Sequence, residues 1–267
     1  MTDMKTNLQK GWPGTPIAAL FTNVIKAFRR NVSGNREPMT SIEDEIRGAR
    51  YATAAIFLNG NGLEVGAGPR PWPLPANANA IYGDIRDEAS LSSYFQDSGS
   101  PAGDYIDAQT LSQIRDKSLD FLISAHVIEH LFDPIGSIRE AMRCLRPGGC
   151  YLIAVPDMRH TFDHNRPETP LEHVLQDFQD GGVGTRLQAY EEHARYVHPV
   201  FQPALTEEEI AEGVKRCSEV NMDIHVHAWT FSGFETMLKA CSKMFPAKIE
   251  AGFSVGNENI FAVKKSS

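Results

Sequence analysis

The chain has 267 residues, 42% of them apolar, which is enough for one large α/β domain with a lid or for two smaller units. A net charge of −8 with no long run of Lys or Arg excludes a polyanion-binding surface, so neither nucleic acid nor a membrane surface is expected as a partner. Residues 1–12 carry no apolar leader, no stretch is long enough to span a bilayer, and the four cysteines (Cys144, Cys150, Cys217, Cys241) form no CxxC, so a cytoplasmic protein with reduced, mostly packed thiols is expected.

Residues 1–40 read as polar and irregular, with one short helix over about 16–29, where Arg29-Arg30 is a solvated pair. Ser41-Ile42-Glu43-Asp44 resembles a capping box with Asp in place of Glu, and opens a helix to about Leu58. Apolar runs at 63–65, 80–84, 105–107, 119–124 and 151–155 predict five strands. Between the last two, Ile135, Ile138, Met142 and Leu145 fall on one face of a helix that Arg146-Pro147-Gly148-Gly149 stops. The region 157–228 breaks this rhythm with a dense set of His, Asp, Glu and Arg and two short helices, 168–179 and 205–220. It reads as a lid inserted after the fifth strand. A helix over 231–245 and a strand pair, 247–255 and 260–264, turning at Gly256-Asn257, close the chain. The alternation predicts a Rossmann-like α/β fold: a mostly parallel, seven-stranded sheet with helices on both faces. Residues 1–59 form an N-terminal helical segment, and 60–267 the main domain.

Gly66 and Gly68 in Leu63-Glu64-Val65-Gly66-Ala67-Gly68 sit where the first buried strand ends, and Asp84 ends the second. Glycine at a strand end permits a tight turn and close approach by a ligand, and an acid one strand later suits a ribose hydroxyl. The alternative is an ordinary strand-end turn. A dinucleotide loop would need a third glycine opening into a helix, whose N-terminus holds the pyrophosphate. Here Gly68 runs into Pro69-Arg70-Pro71-Trp72-Pro73-Leu74-Pro75, an extended path poor in amide donors. This disfavours an NAD-dependent oxidoreductase and suits S-adenosylmethionine.

Residues 63–68, Asp84, Ser118-Leu119-Asp120-Phe121, Ala125-His126-Val127-Ile128-Glu129-His130 and Leu145-Arg146-Pro147-Gly148-Gly149, in that order, resemble class I S-adenosylmethionine-dependent methyltransferases over about 60–156. The segments 156–163, 166–173, Asp177-Phe178 and 224–230 look like a bacterial branch often found beside glycosyltransferases and commonly assigned to glycan or sugar-like substrates. The resemblance implies S-adenosyl-L-methionine as cofactor. Glu64, Gly66, Ala67 and Gly68 would surround its methionine end, Asp84 its ribose, Asp107 (in competition with Asp104) its adenine, and His126 the region of the sulfonium. The proline segment departs from the common pattern at the cofactor loop.

Methyl transfer to a hydroxyl needs alignment and a base. The candidates are His126, His173, His225 and His227, with His173 and His227 ahead as bases and His126 suited to positioning. His130 shares a helical face with His126 and reads as structural, with Glu129 as a local salt-bridge partner. Asp157, Arg159, Asp163, Arg166 and His225 form the expected acceptor pocket, where Arg159 or Arg166 would grip a carboxylate or phosphate; the other reading of this stretch is a solvated insertion held by its own salt bridges. His225 and His227 would share a face on a strand. A metal held by His173, Asp163 and one of these histidines matches no known ligand spacing, so no metal is expected. Trp229 reads as core. The expected activity is O-methylation of a sugar or other small polar acceptor. Methylation of an N, O or S nucleophile in a natural-product pathway and a catalytically silent binding module are the alternatives. A homodimer is compatible with the sequence.

Overall fold

The structure, a computed structural model, describes residues 41–96 and 99–266. The helix expected at 16–29 lies outside them. Helix α1 (Ile42–Phe57) starts where the Ser41 hydroxyl accepts the Asp44 amide, and three acids in its first turn favour the positive end of the helix dipole.

Seven strands follow: β1 (Gly60–Val65), β2 (Ala78–Asp84), β3 (Asp104–Tyr105), β4 (Leu119–Ala125), β5 (Leu145–Pro156), β6 (Ala247–Val255) and β7 (Glu258–Lys265). They lie in the order β3-β2-β1-β4-β5-β7-β6. All pairings from β3 to β5 are parallel, and β7 runs antiparallel to both β5 and β6. This is the expected mostly parallel, Rossmann-like sheet. The register aligns the strand ends that matter. Val65 faces Gly83 on one side and Ser124 on the other, and Ser124 in turn faces Ile153. The residues that follow these four therefore share one edge.

Both faces of the sheet are buried. On one, Leu63, Leu122, Tyr151 and Phe261 pack with helices α3 (Pro134–Cys144), α4 (Leu171–Asp180) and α8 (Phe231–Met244). On the other, Phe121, Ile123, Leu152 and Ile260 pack with α1 and Trp72. Each fully buried side chain of this size contributes roughly 1.5–3 kcal/mol.

Two parts were not foreseen. Helix α2 (Glu88–Phe95) fills the β2–β3 crossover, capped by Asp87. Within the insertion, α5 (Arg186–Glu192), a π-helical turn (His193–Val197) and α6 (His198–Phe201) join the expected α4 and α7 (Glu207–Glu219). The insertion has a small core of its own, in which Ala189, Tyr190, Ile224 and Val226 pack with Phe132 and Val214. Residues 223–230 form neither helix nor strand, so His225 and His227 are set by their ring bonds to Asp163 and Asp177 and by the His227 amide, which donates to the Glu129 carbonyl, rather than by a pleat. All four cysteines are free, and among the described residues no helix is long and apolar enough to cross a membrane.

Candidate active site

At the carboxyl edge of the sheet the backbone continues the ladder for one more residue. The Gly66 amide donates to the Gly83 carbonyl, Ile106 to Asp84, His126 to Ala154 and Asp157 to Asn257, at 2.8–3.0 Å. Gly66, Asp84, Asp107, His126 and Asp157 thus meet at one edge. Gly66 and Gly68 have φ of +68° and +54°, and a Cβ would stand 2.5 Å from Val127 Cγ2 at Gly66 and 2.8 Å from the Phe95 ring at Gly68. Both conformation and space require glycine there. Ala67 between them is buried.

The proline segment turns back over β1 instead of leaving the site. The Trp72 amide donates to both Glu64 carboxylate oxygens, at 2.9 and 3.0 Å, and its indole N–H donates to the Arg50 carbonyl at 2.7 Å. Glu64 is wholly buried beneath this loop. Burial raises its pKa to about 7, against the opposing pull of the Trp72 amide and Arg50. Asp84 accepts the Arg86 amide at 2.8 Å, and Asp107 accepts the Gln109 amide at 2.8 Å and the Thr110 hydroxyl at 3.1 Å. Asp104 is exposed at the sheet margin.

His126 has φ of +55°, a strained value for a residue with a side chain and one that clusters at functional sites. Its Nε2 meets Glu258 Oε1 at 2.7 Å, and its Nδ1 lies 3.5 Å from Glu129 Oε1. Glu258 in turn takes a forked pair of bonds from Arg50, at 3.1 and 2.5 Å. Burial disfavours the imidazolium, but the two carboxylates outweigh it and hold the His126 pKa up at about 9. Nε2 is bonded and Nδ1 faces the Glu129 carboxylate across 3.5 Å, so His126 is placed to position rather than to take an acceptor's proton.

Beyond His126 the charges alternate along the rim. Glu129 lies 4.0 Å from His130 Nε2; His130 Nδ1 bonds Asp223 at 2.8 Å; Arg86 spans Asp223 and Asp84, at 2.5 and 3.5 Å. The His225 ring stands edge-on to His130, with centroids 4.8 Å apart, and its Nδ1 bonds Asp163 at 2.6 Å. Sequence reasoning missed Arg50, Asp223 and Glu258, and treated His130 and Glu129 as structural. The Glu-His pair just after β4, with Asp223 two residues before His225, was the available signal.

Three expectations change here. The Arg166 guanidinium is fully buried and donates to the carbonyls of His225 and Val226, at 2.7 and 3.0 Å, while pairing with Asp163 and Glu192. It braces the insertion and has no face for an acceptor's anion. Arg159 pairs with buried Asp157 at 2.6 Å but is half-exposed, so it alone of the two can reach a ligand. The His227 amide donates to the Glu129 carbonyl at the rim, but its ring and that of His173 turn to Asp177 in the layer of α4. His227 is wholly buried, stacked on Trp229 and bonded through Nε2 to Asp177 at 2.9 Å; Asp177 also accepts the Thr185 hydroxyl and lies 3.4 Å from His173. Burial pushes the His227 pKa down despite Asp177. These two histidines are enclosed in packing, which is poor placement for a base that must meet substrate. Trp229 is core, as expected.

The family model of the methyltransferase domain matches residues 63–153. A curated protein of Mycolicibacterium smegmatis, described as a probable S-adenosylmethionine-dependent methyltransferase, is 45% identical over 56 residues, which is 21% of this chain and 21% of that protein. The match thus spans about a fifth of that relative's length. Among solved structures, an S-adenosylmethionine-dependent methyltransferase from Thermotoga maritima aligns over 93% of this chain and 99% of its own, with 13% identity and a TM-score of 0.46. Another from Methanosarcina mazei aligns over 81% and 98%, with 17% identity and a TM-score of 0.43. Residues 63–153 are thus similar to a methyltransferase domain.

Proposed function

We propose that the chain transfers the methyl group of S-adenosylmethionine to a hydroxyl of a sugar or another small polar acceptor. The observation that carries this reading is the meeting of three things on one sheet edge: the Gly66–Gly68 turn, the Asp84 carboxylate one strand away, and the imidazole rim of His126, His130 and His225. In this reading the glycine turn admits the methionine end of the cofactor, Asp84 holds the ribose and Asp107 lies at the adenine end. Arg86, fixed by Asp223, keeps Asp84 oriented.

Transfer is an in-line displacement. The acceptor oxygen forms a bond to the methyl carbon, the carbon–sulfur bond breaks, and its electron pair stays on sulfur as the neutral thioether. The hydroxyl proton leaves the oxygen. Alignment supplies much of the rate, and a site that eases proton loss supplies more. The acceptor fits the polar side, between the rim and the insertion, where Arg159 is free to meet an anionic group on it. A natural-product acceptor with an N or S nucleophile would use the same alignment without help in losing a proton; the resemblance of segments 156–163, 166–173 and 224–230 to a branch found beside glycosyltransferases supports the sugar-like hydroxyl.

Incubation with methyl-labelled S-adenosylmethionine and a panel of sugars, nucleotide sugars and small natural products tests the reading. Label on a sugar-like hydroxyl is the expected result. Label on amine or thiol acceptors alone would overturn the O-methylation assignment, and cofactor binding with no transfer to any acceptor would favour a silent binding module.

A further inference from the structure

We propose that Glu129, His130 and His225 form a binding site for one divalent transition-metal ion at the acceptor side of the cleft. The existence of the site rests on its geometry alone; its role in catalysis rests on the methyltransferase reading.

Glu129 is 1% exposed, and neither of its carboxylate oxygens has a hydrogen-bond partner; the imidazoles of His126 and His130 stand beyond bonding range, at 3.5 and 4.0 Å. A buried carboxylate left unbonded is costly and rare. What surrounds it is imidazole. One ligand atom from each of Glu129, His130 and His225 lies within 4.8 Å of the others. Two donors each ~2.1 Å from a common ion stand at most ~4.2 Å apart, so a closure of a few tenths of an ångström brings the set into range.

The second layer is already built. His130 and His225 each give Nδ1 to a carboxylate, Asp223 at 2.8 Å and Asp163 at 2.6 Å. With Nδ1 donating, each ring keeps its lone pair on Nε2, and His130 Nε2 lies 4.0 Å from Glu129. A carboxylate behind each ligating histidine fixes its tautomer and orientation in metal sites. Both carboxylates are themselves anchored, Asp223 by Arg86 and Asp163 by Arg166.

A second cluster, His173, Asp177 and His227, has similar spacing but a different chemistry. Asp177 is satisfied there by Thr185 and His227. The carboxylate of that cluster is satisfied, although His173 Nε2 and His227 Nδ1 lack a hydrogen-bond partner, whereas in the Glu129 cluster it is the carboxylate itself, through both oxygens, that lacks one.

Two imidazoles and one carboxylate suit first-row divalent ions and leave coordination positions open. An acceptor hydroxyl taking one of them would lose its proton to water more readily, because the ion stabilises the resulting oxyanion. The oxygen lone pair then attacks the methyl carbon, and sulfur keeps the pair of the broken bond. The ion is neither oxidised nor reduced.

Cobalt(II) chloride titrated into the tag-free protein tests the site without any turnover. One equivalent should bind with visible d–d absorption. Glu129→Gln and His225→Ala should each weaken binding at least tenfold, and Asp163→Asn by about tenfold through the second layer. His173→Ala should bind cobalt as the wild type does. Circular dichroism identifies folded variants, and if Glu129→Gln fails to fold, His225→Ala and Asp163→Asn carry the test. The proposal is overturned if the wild type takes up no stoichiometric cobalt, if folded Glu129→Gln or His225→Ala binds it unchanged, or if only His173→Ala loses it. Calorimetry with S-adenosylhomocysteine on the same protein separates the two readings: cobalt lost in Glu129→Gln with no S-adenosylhomocysteine binding in the wild type upholds the metal site and sinks the methyltransferase assignment.

Discussion

Glu258, the first residue of β7, meets His126, the residue after β4, at 2.7 Å between Oε1 and Nε2. The same carboxylate takes a forked pair of bonds from Arg50 of α1. One buried acid therefore ties the antiparallel strand, the first helix and the carboxyl edge of the sheet together.

Removing that acid should be costly. Glu258→Ala leaves Arg50, with a side chain only 12% exposed, without its partner. Breaking a buried pair from one side costs about 3–5 kcal/mol. Glu258→Gln keeps an acceptor and should cost less. Urea unfolding of both variants checks this, and equal midpoints for Glu258→Ala and wild type would refute it.

Glu64 sets a pH dependence of stability. Its pKa is raised to about 7 in the folded chain, above the ordinary carboxylate value near 4.5. The folded state therefore binds the extra proton between those values, and the Glu64 contribution, fully present below about pH 4.5, is lost as pH rises to 7. Glu64→Gln does not titrate. The melting temperature of Glu64→Gln relative to wild type should therefore move upward between pH 5 and pH 8. A difference that stays flat over that range would count against a buried, proton-binding Glu64.

Gly66→Ala should lose both stability and cofactor affinity. The new Cβ meets Val127 Cγ2 at 2.5 Å on a backbone of φ +68°. A left-handed residue with a side chain costs about 1–2 kcal/mol before the clash is counted. Thermal melts with and without S-adenosylhomocysteine check this, and an unchanged melting temperature would mean the turn is looser than its geometry.

The insertion at 157–228 should respond to ligands in part only. Val174 of α4 sits in the main core, so α4 is already fixed, whereas α5 and α7 rest on the small core around Tyr190 and Ile224. Hydrogen exchange should slow across 186–219 when cofactor and acceptor are both bound, with little change over 171–180. Slowing confined to 171–180 would contradict this division.

The strands were legible because buried parallel strands are written as continuous apolar runs, as at Phe121-Leu122-Ile123. The carboxyl edge of the sheet was legible because the two glycines and the acid stand where apolar runs end, at Gly66, Gly68 and Asp84. The rim was not. Arg50 and Glu258 are 208 positions apart, and His126 and Glu258 are 132 apart. Such pairs leave no periodic trace; they exist only once the sheet has brought β4 and β7 to the same edge. Arg166 misled for a related reason: a guanidinium reads alike in sequence whether it faces solvent or, as here, is spent on the carbonyls of His225 and Val226.

The most direct test of the central claim is calorimetry of S-adenosylhomocysteine binding to the wild type and to Asp84→Ala, with NAD as the comparison. The expected result is one site for S-adenosylhomocysteine, none for NAD, and a loss of about 1.5–3 kcal/mol on removing the Asp84 carboxylate. Binding of NAD without S-adenosylhomocysteine, or undiminished affinity in folded Asp84→Ala, would contradict the assignment of this edge to the methyl donor.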